Sequence, residues 1–205
     1  MAGLWERQLL PRLLDVGMRG GMLRELRAHT VPAARGRVLE IGFGGGLNLP
    51  FYGPAVSEVL ALEPNEVARR IARRRAEHSP IPVRFVGLRG EEIPLDSGSV
   101  DAVVSTFTMC TIPDLSRALA ELRRVLVPGG QLHFLEHGLA QDESVARWQR
   151  RLTPIQRRLF GGCRLDRDVT GEVRRAGFAF DECERFDAAR PHALAHIHRG
   201  RARPN

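Results

Sequence analysis

Val38-Leu39-Glu40-Ile41-Gly42-Phe43-Gly44-Gly45-Gly46 sets apolar residues around one acid and ends in a run of glycines. Apolar residues flanking a single acid predict a buried parallel strand, and the glycines a tight turn that opens a helix. Gly42, Gly44 and Gly46 remove the side chains that would keep a ligand off the backbone. A second apolar run, Val59-Leu60-Ala61-Leu62, ends in Glu63-Pro64. An acid at the tip of the neighbouring strand is where a ribose presents its two hydroxyls. Together the two stretches describe a nucleoside-binding crevice at the carboxyl ends of parallel strands.

A dinucleotide site wants Gly-x-Gly-x-x-Gly. Counted from Gly42 the third position is Leu47, and counted from Gly44 it is Leu49, so both registers fail. Glu40 to Gly46 instead reads acid-x-Gly-x-Gly-x-Gly, which resembles the first motif of the class I S-adenosylmethionine-dependent methyltransferases. The resemblance continues in order along nearly the whole chain. Gly90-Glu91-Glu92-Ile93-Pro94-Leu95 and Ser99-Val100-Asp101-Ala102-Val103-Val104 look like that family's adenine loop and fourth strand. Leu122 to Gly130, ending Pro128-Gly129-Gly130, looks like its next helix and turn before the fifth strand. Glu136-His137-Gly138, Trp148-Gln149, Pro154, Gly162-Cys163, Arg167 and Pro191-His192 are similar to one subgroup, the methyltransferase-like thiol methyltransferases of animals and their bacterial relatives.

The resemblance implies S-adenosyl-L-methionine as cofactor. It places Glu40, Gly42, Phe43, Gly44, Gly46, Asn48, Glu63, Pro64, Gly90, Glu91, Thr106 and Phe107 around it. It also implies a Rossmann-like, mostly parallel seven-stranded sheet with an antiparallel edge hairpin and helices on both faces. Two positions depart from the family pattern. Arg89 stands where many relatives carry an Asp that accepts from the adenine amino group, and arginine cannot accept. Phe43 replaces the small residue usual between the first two glycines, and packing under the loop is its expected role.

The 205 residues, 43% of them apolar, fit one domain with a single core. No apolar stretch approaches a membrane span, and the amino terminus lacks a signal-peptide core. Cys110, Cys163 and Cys183 are odd in number and widely spaced, which reads as neither a disulfide framework nor a zinc site and suits a reducing cytoplasm. All 31 basic side chains other than histidine are arginine, a bias expected of a GC-rich bacterial genome. Arg69, Arg70, Arg73, Arg74 and Arg75 crowd one helix; Arg147, Arg150, Arg151, Arg157 and Arg158 crowd another. The plain reading of these faces is solvation. Peripheral contact with an anionic lipid surface comes second and nucleic acid third. Nothing in the chain speaks to oligomeric state.

Patterning predicts strands at 37–41, 57–62, 83–87, 99–105, 131–136, 178–186 and 192–198. Helices are expected at 45–50, 65–77, 114–126, 142–160 and 168–176, an alternation that implies a mostly parallel sheet wrapped by helices. Residues 1–30 read as an added amino-terminal helical segment before the methyltransferase domain at 31–205. Leu9, Leu10, Leu13, Leu14 and Met18 recur there at helical spacing, and Pro11 suits a first turn. The segment is expected to cover the substrate side of the sheet or to lie on a lipid surface.

A sulfonium methyl is already activated, so alignment, desolvation and loss of one acceptor proton are the tasks left to the protein. Acceptor-facing residues are expected where the fourth and fifth strands end, at Thr108 and Met109, with Trp148 and Cys163 from the later insertion as walls. Asn/Asp-Pro-Pro-Tyr, which base-amino methyltransferases carry there, is missing. No Asp-Asp-Asn set for magnesium is apparent. Glu136 and His137 are the general-base candidates, with capping of the strand as the competing role. Cys110 and Cys163 read as packing residues, since direct transfer needs no covalent enzyme intermediate. His192, His196 and His198 lack Cys or acidic neighbours, so no metal is expected. The acceptor class expected is a small molecule, with a thiol named by the subgroup. A quinone precursor, a lipid amine, or a cofactor-binding regulator without turnover are the alternatives.

Overall fold

The computed structural model describes residues 3–205; Met1 and Ala2, the start of the expected helical segment, lie outside it. The strands are β1 (Gly36–Ile41), β2 (Val56–Leu62), β3 (Val83–Gly87), β4 (Val100–Thr106), β5 (Leu126–His137), β6 (Phe178–Asp187) and β7 (His196–Pro204). They form one sheet in the order β3-β2-β1-β4-β5-β7-β6. β3, β2, β1, β4 and β5 run parallel, and β7 pairs antiparallel with both β5 and β6. The chain reverses direction across the sheet between β1 and β4, the place where open α/β sheets hold ligands.

The strands are apolar on both faces because both faces are covered. Leu39, Ile41, Leu60, Leu62 and Val103 point to one side, where α4 (Leu115–Val125) and α6 (Val169–Arg175) cover them. Val38, Val59, Ala61, Ala102 and Val104 point to the other side, under α3 (Glu66–Ala76) and the loop around Tyr52. Before β1 come a π-helical turn at Trp5–Leu9, then α1 (Leu10–Gly17) and α2 (Gly21–Thr30), the last packing Leu26 on Leu135 and Ile197. Between β5 and β6 lies α5 (Glu143–Leu159), and α7 (His192–Ala195) precedes β7.

Three boundaries differ from the sequence expectation. The helix expected at 45–50 is a run of turns ending in a 3-10 turn at Leu49–Phe51. Positive φ at Gly42, Gly44 and Gly46 cannot propagate a right-handed helix. β5 begins at Leu126 rather than 131, with Val100 opposite Leu126 and Ala102 opposite Gln131, so Val127 to Gly130 bulge out of register. The last strand is His196–Pro204 rather than 192–198. Its alternating arginines hid the carboxyl-terminal half of the strand. Arg199, Arg201 and Arg203 pair with Glu184, Glu182 and Asp181 of β6, so the charge is consumed across strands.

Candidate cofactor and acceptor site

The glycine loop leaves β1 and returns beneath α1. Gly42 has φ +64°, and a Cβ there would fall 2.0 Å from Thr108 Oγ1, so no other residue fits between the β1 and β4 loops. Above Gly44 (φ +55°) the space is open, with nothing nearer than 3.8 Å to a Cβ. Gly44 N donates to Glu63 Oε2 and Asn65 N to Glu63 Oε1, each at 2.7 Å. Burial pushes Glu63 above the ordinary carboxylate range, and these two amides pull it back. Each oxygen keeps a further lone pair. Pro64 leads into the Asn65 cap, whose Oδ1 accepts from Val67 N and Ala68 N and so fixes the start of α3.

Glu40 is 1% exposed, and burial raises it to about 8. Its Oε1 accepts from Asn48 Nδ2 at 2.8 Å and its Oε2 from Tyr52 Oη at 2.6 Å. Both Glu40 oxygens are thus taken by the protein's own donors, against the expectation that they meet a cofactor directly. Asn48 Nδ2 also donates to Thr106 Oγ1 at 3.0 Å, whereas Asn48 Oδ1 is buried with no partner among the described residues. Phe43 packs under the loop as expected. Its ring is core, edge-on to Phe85 at 5.7 Å, and holds the loop from below. Gly90 and Glu91 lie on the loop after β3, with Gly90 buried against Ile112 and Ala118.

A spare carboxylate lone-pair set, an orphaned buried acceptor and an open glycine turn fit a ligand rich in hydroxyl and ammonium donors. S-adenosylmethionine is such a ligand.

At the ends of β4 and β5 the arrangement is different. Glu136 is fully buried, accepting from Ser105 Oγ (2.7 Å) and Thr108 N (3.0 Å) on one oxygen and Cys110 N (3.2 Å) on the other. Burial raises its pKa, yet its oxygens are spent on the 105–110 loop. The expectation of Glu136 as a general base gives way to that of a clamp. Met109 is fully buried in the core, so it does not face an acceptor. Thr108 stays half-buried over Gly42. Phe107 adopts φ +55°, a strained value for an aromatic residue, with its ring 5.1 Å from that of His137.

His137 is half-buried, and its Nδ1 lies 3.6 Å from Cys163 Sγ; Cys163 Sγ is 3.7 Å from Cys110 Sγ. The bond from the Cys110 thiol, with His137 beside it, holds the Cys163 thiol well below its ordinary range. The wide sequence spacing that excluded a metal-type cluster thus hides a Cys-His-Cys group. Trp148 is corrected: it is 57% exposed on α5, under the Arg151 guanidinium, and walls no crevice.

Two sets of contacts escaped the sequence reading, one of them made by Gln149, which the resemblance had already picked out. Asp15, buried in α1, pairs with Arg75 of α3 at 2.5 Å, and Arg75 also donates to Gly45 O, tying the amino-terminal segment to the glycine loop. Gln149 accepts from Ala140 N (2.8 Å) and donates to Gly138 O (2.9 Å), pinning the chain beyond β5. Neither has a local pattern that announces it.

The profile of a family described as a methyltransferase domain matches residues 39–134. Thiol S-methyltransferase TMT1B of Homo sapiens is 33% identical over 168 residues, covering 80% of this chain and 68% of the relative. The chain belongs to the class I S-adenosylmethionine-dependent methyltransferases. Thiol S-methyltransferase TMT1A of Homo sapiens is 34% identical over 77% of this chain, which spans 66% of that relative's length. A solved structure from Thermotoga maritima, described as a methyltransferase and possible histamine N-methyltransferase, superposes with TM-score 0.69 over 98% of this chain and 100% of its own. At 21% identity it shares the fold alone. As in the family, S-adenosylmethionine is the cofactor. Among the described residues no helix is long and apolar enough to cross a membrane.

Proposed function

We propose that this chain transfers the methyl group of S-adenosylmethionine to a small thiol in the cytoplasm. When bound, the cofactor supplies a methyl group activated by its sulfonium. Glu63 accepts from the ribose hydroxyls on its remaining lone pairs, Asn48 Oδ1 accepts from the methionine ammonium, and the backbone of Gly42, Gly44 and Gly46 lets the ligand approach. Gly90, Glu91, Thr106 and Phe107 border the same crevice. The described part of the amino-terminal segment, residues 3–30, closes over it through Asp15 and Arg75, leaving residues 31–205 as the domain proper. Exposed Leu4, Leu9, Leu13 and Val16 on that segment support peripheral contact with a lipid surface.

The observation that carries the thiol reading is the acceptor end itself. The carboxylate near the reacting position, Glu136, is fully enclosed and committed to Ser105, Thr108 and Cys110, which leaves His137 and Thr108 as the polar side chains on the acceptor side. An amine acceptor, charged at neutral pH, would need a free base there. A thiol, with an ordinary pKa of about 8.5, ionises near neutrality without one. The names of the two human relatives point to the same class. Release of S-adenosylhomocysteine over a panel of thiols, phenols, amines, lipids and RNA tests it. Turnover confined to thiols is expected; turnover on RNA or amines alone overturns the reading, and none on any class favours a cofactor-binding regulator.

A further inference from the structure

Three soft donors distant in sequence meet where β4 and β5 end. Cys110 Sγ and Cys163 Sγ are 3.7 Å apart, Cys163 Sγ and His137 Nδ1 3.6 Å, and all three atoms lie within 4.8 Å of one another. A zinc ion bonded to sulfur at ~2.3 Å and to nitrogen at ~2.0–2.1 Å spans tetrahedral edges of about 3.8 Å between sulfurs and about 3.5 Å between sulfur and nitrogen. The two measured edges match these lengths.

Backbone holds each donor in place. Cys110 N donates to Glu136, and Cys110 O accepts from Arg164 N. Cys163 N donates to Phe160 O, and His137 closes the β5–β7 ladder opposite Ile197. The charges also balance. Two thiolates offset a divalent ion, while Glu136 and the buried Arg167 brace the same loop with opposite signs. Cys110 and Cys163 are buried; His137, the partly exposed member, sits against Phe107 and opens the cluster towards the crevice.

We propose that Cys110, Cys163 and His137 form a three-ligand site for a thiophilic divalent cation, best fitted by zinc, whose open fourth position takes the thiolate of the acceptor. Three protein ligands with one position left open is the pattern of a zinc site that handles an exogenous ligand. A thiol bound there releases its proton to solvent and is held as thiolate, so His137 serves as a ligand and need not take the proton itself. The fourth-ligand assignment rests on the thiol reading of the function; the cation site does not.

The full chain, reduced and stripped with a chelator, is titrated with cobalt(II) as a spectroscopic stand-in for zinc. Thiolate-to-cobalt charge-transfer absorption and the ligand-field bands of a tetrahedral ion are expected to saturate at one equivalent and bleach on adding zinc. Cys110→Ser and Cys163→Ser should each weaken uptake at least roughly tenfold and dim the charge-transfer band. Cys183→Ser, on β6 and outside the cluster, should leave both unchanged. Retained binding of S-adenosylhomocysteine shows that each variant is folded. A small alkanethiol added without cofactor should shift the ligand-field bands.

Folded, reduced protein without the charge-transfer band overturns the cation site, as does undiminished uptake by the double serine variant. So does a Cys110–Cys163 disulfide, seen as a loss of two hydrogens by mass spectrometry, in protein that takes no metal. Metal uptake with no response to any thiol overturns the fourth-ligand assignment. Failure of the methylation panel with metal bound overturns the thiol function and leaves the cation site standing.

Discussion

Glu63 and Glu136 use one device on opposite sides of the crevice, with different results. Each is a buried carboxylate at the carboxyl end of a parallel strand that holds amides of a neighbouring loop. Glu63 takes one N–H on each oxygen and keeps lone pairs for a ligand. Glu136 takes two donors on one oxygen and a third on the other, and is fully enclosed. The β1–β2 half is therefore a ligand site made largely of main chain, suited to a cofactor that many proteins share. In the β4–β5 half the carboxylate is scaffold, and the partly exposed side chains are Phe107, Thr108 and His137, with Cys110 and Cys163 buried behind them. Main chain conserves a ligand; side chains leave the acceptor free to differ.

Removing the scaffold carboxylate should have the largest effect. Glu136→Ala strands Ser105 Oγ and two loop amides, each worth ~1–3 kcal/mol when buried unpaired. The expected loss is therefore about 3 kcal/mol or more, a large share of an ordinary domain's stability. Urea unfolding measures it, and a loss below about 1 kcal/mol would break the contrast by showing Glu136 to be dispensable scaffold.

Glu63→Ala should show the reverse profile. It strands two amides where Glu136→Ala strands three donors, and Gly44 is half-buried, so stability falls less. Affinity for S-adenosylhomocysteine should drop by ~1.5–3 kcal/mol, the range for hydrogen bonds to a charged group. Calorimetry on both variants sharpens the comparison: unchanged affinity in Glu63→Ala would take the ribose away from that carboxylate.

This asymmetry also decides what could be read from the sequence. Glycines at 42, 44 and 46 with Glu63 after the next apolar run act through local geometry, so strand, turn and ligand type were all legible. The mostly parallel sheet followed from the alternation of elements, and its antiparallel edge hairpin from the family resemblance; the strand order came from the structure. Cys110, His137 and Cys163 come from three separate elements, and no spacing rule links them before the chain folds. Asp15 drew no reading in the sequence, because only the approach of Arg75 from α3 makes it a buried anchor. Glu40 was legible as an acid of the motif and Asn48 as a site residue, but the pairing that turns Glu40 inward on Asn48 and Tyr52 was not.

Glu40 gives the comparison a pH axis. Burial raises its folded pKa to about 8 from an unfolded 4.5, so the folded state binds more protons between those values. Stability is then full below the unfolded pKa and falls as pH rises towards 8, by at most ~1.4 kcal/mol per pH unit. Glu40→Gln removes the titrating group and should flatten that decline. Melting temperatures recorded from pH 5 to 8 for both proteins test it. Parallel curves would mean that Glu40 is already ionised in the fold, held by Asn48, Tyr52 and the nearby Arg27 charge.

The smallest effect should come from Trp148, whose place on α5 tests where the acceptor half ends. Its ring is mostly exposed and meets the Arg151 guanidinium 5.4 Å from the ring centroid. Such an exposed cation–π contact is worth ~0.5–1 kcal/mol, so Trp148→Ala should cost no more than that in stability. Turnover and KM for an apolar thiol should hardly move, because Gln149, the inward neighbour, does the pinning of the 138–140 loop. A KM raised roughly tenfold, worth about 1.4 kcal/mol, with kcat unchanged would mean lost uniform binding of the acceptor. The acceptor surface would then run from His137 out across the exposed face of α5, and the side-chain half of the crevice would be larger than the enclosed cluster alone.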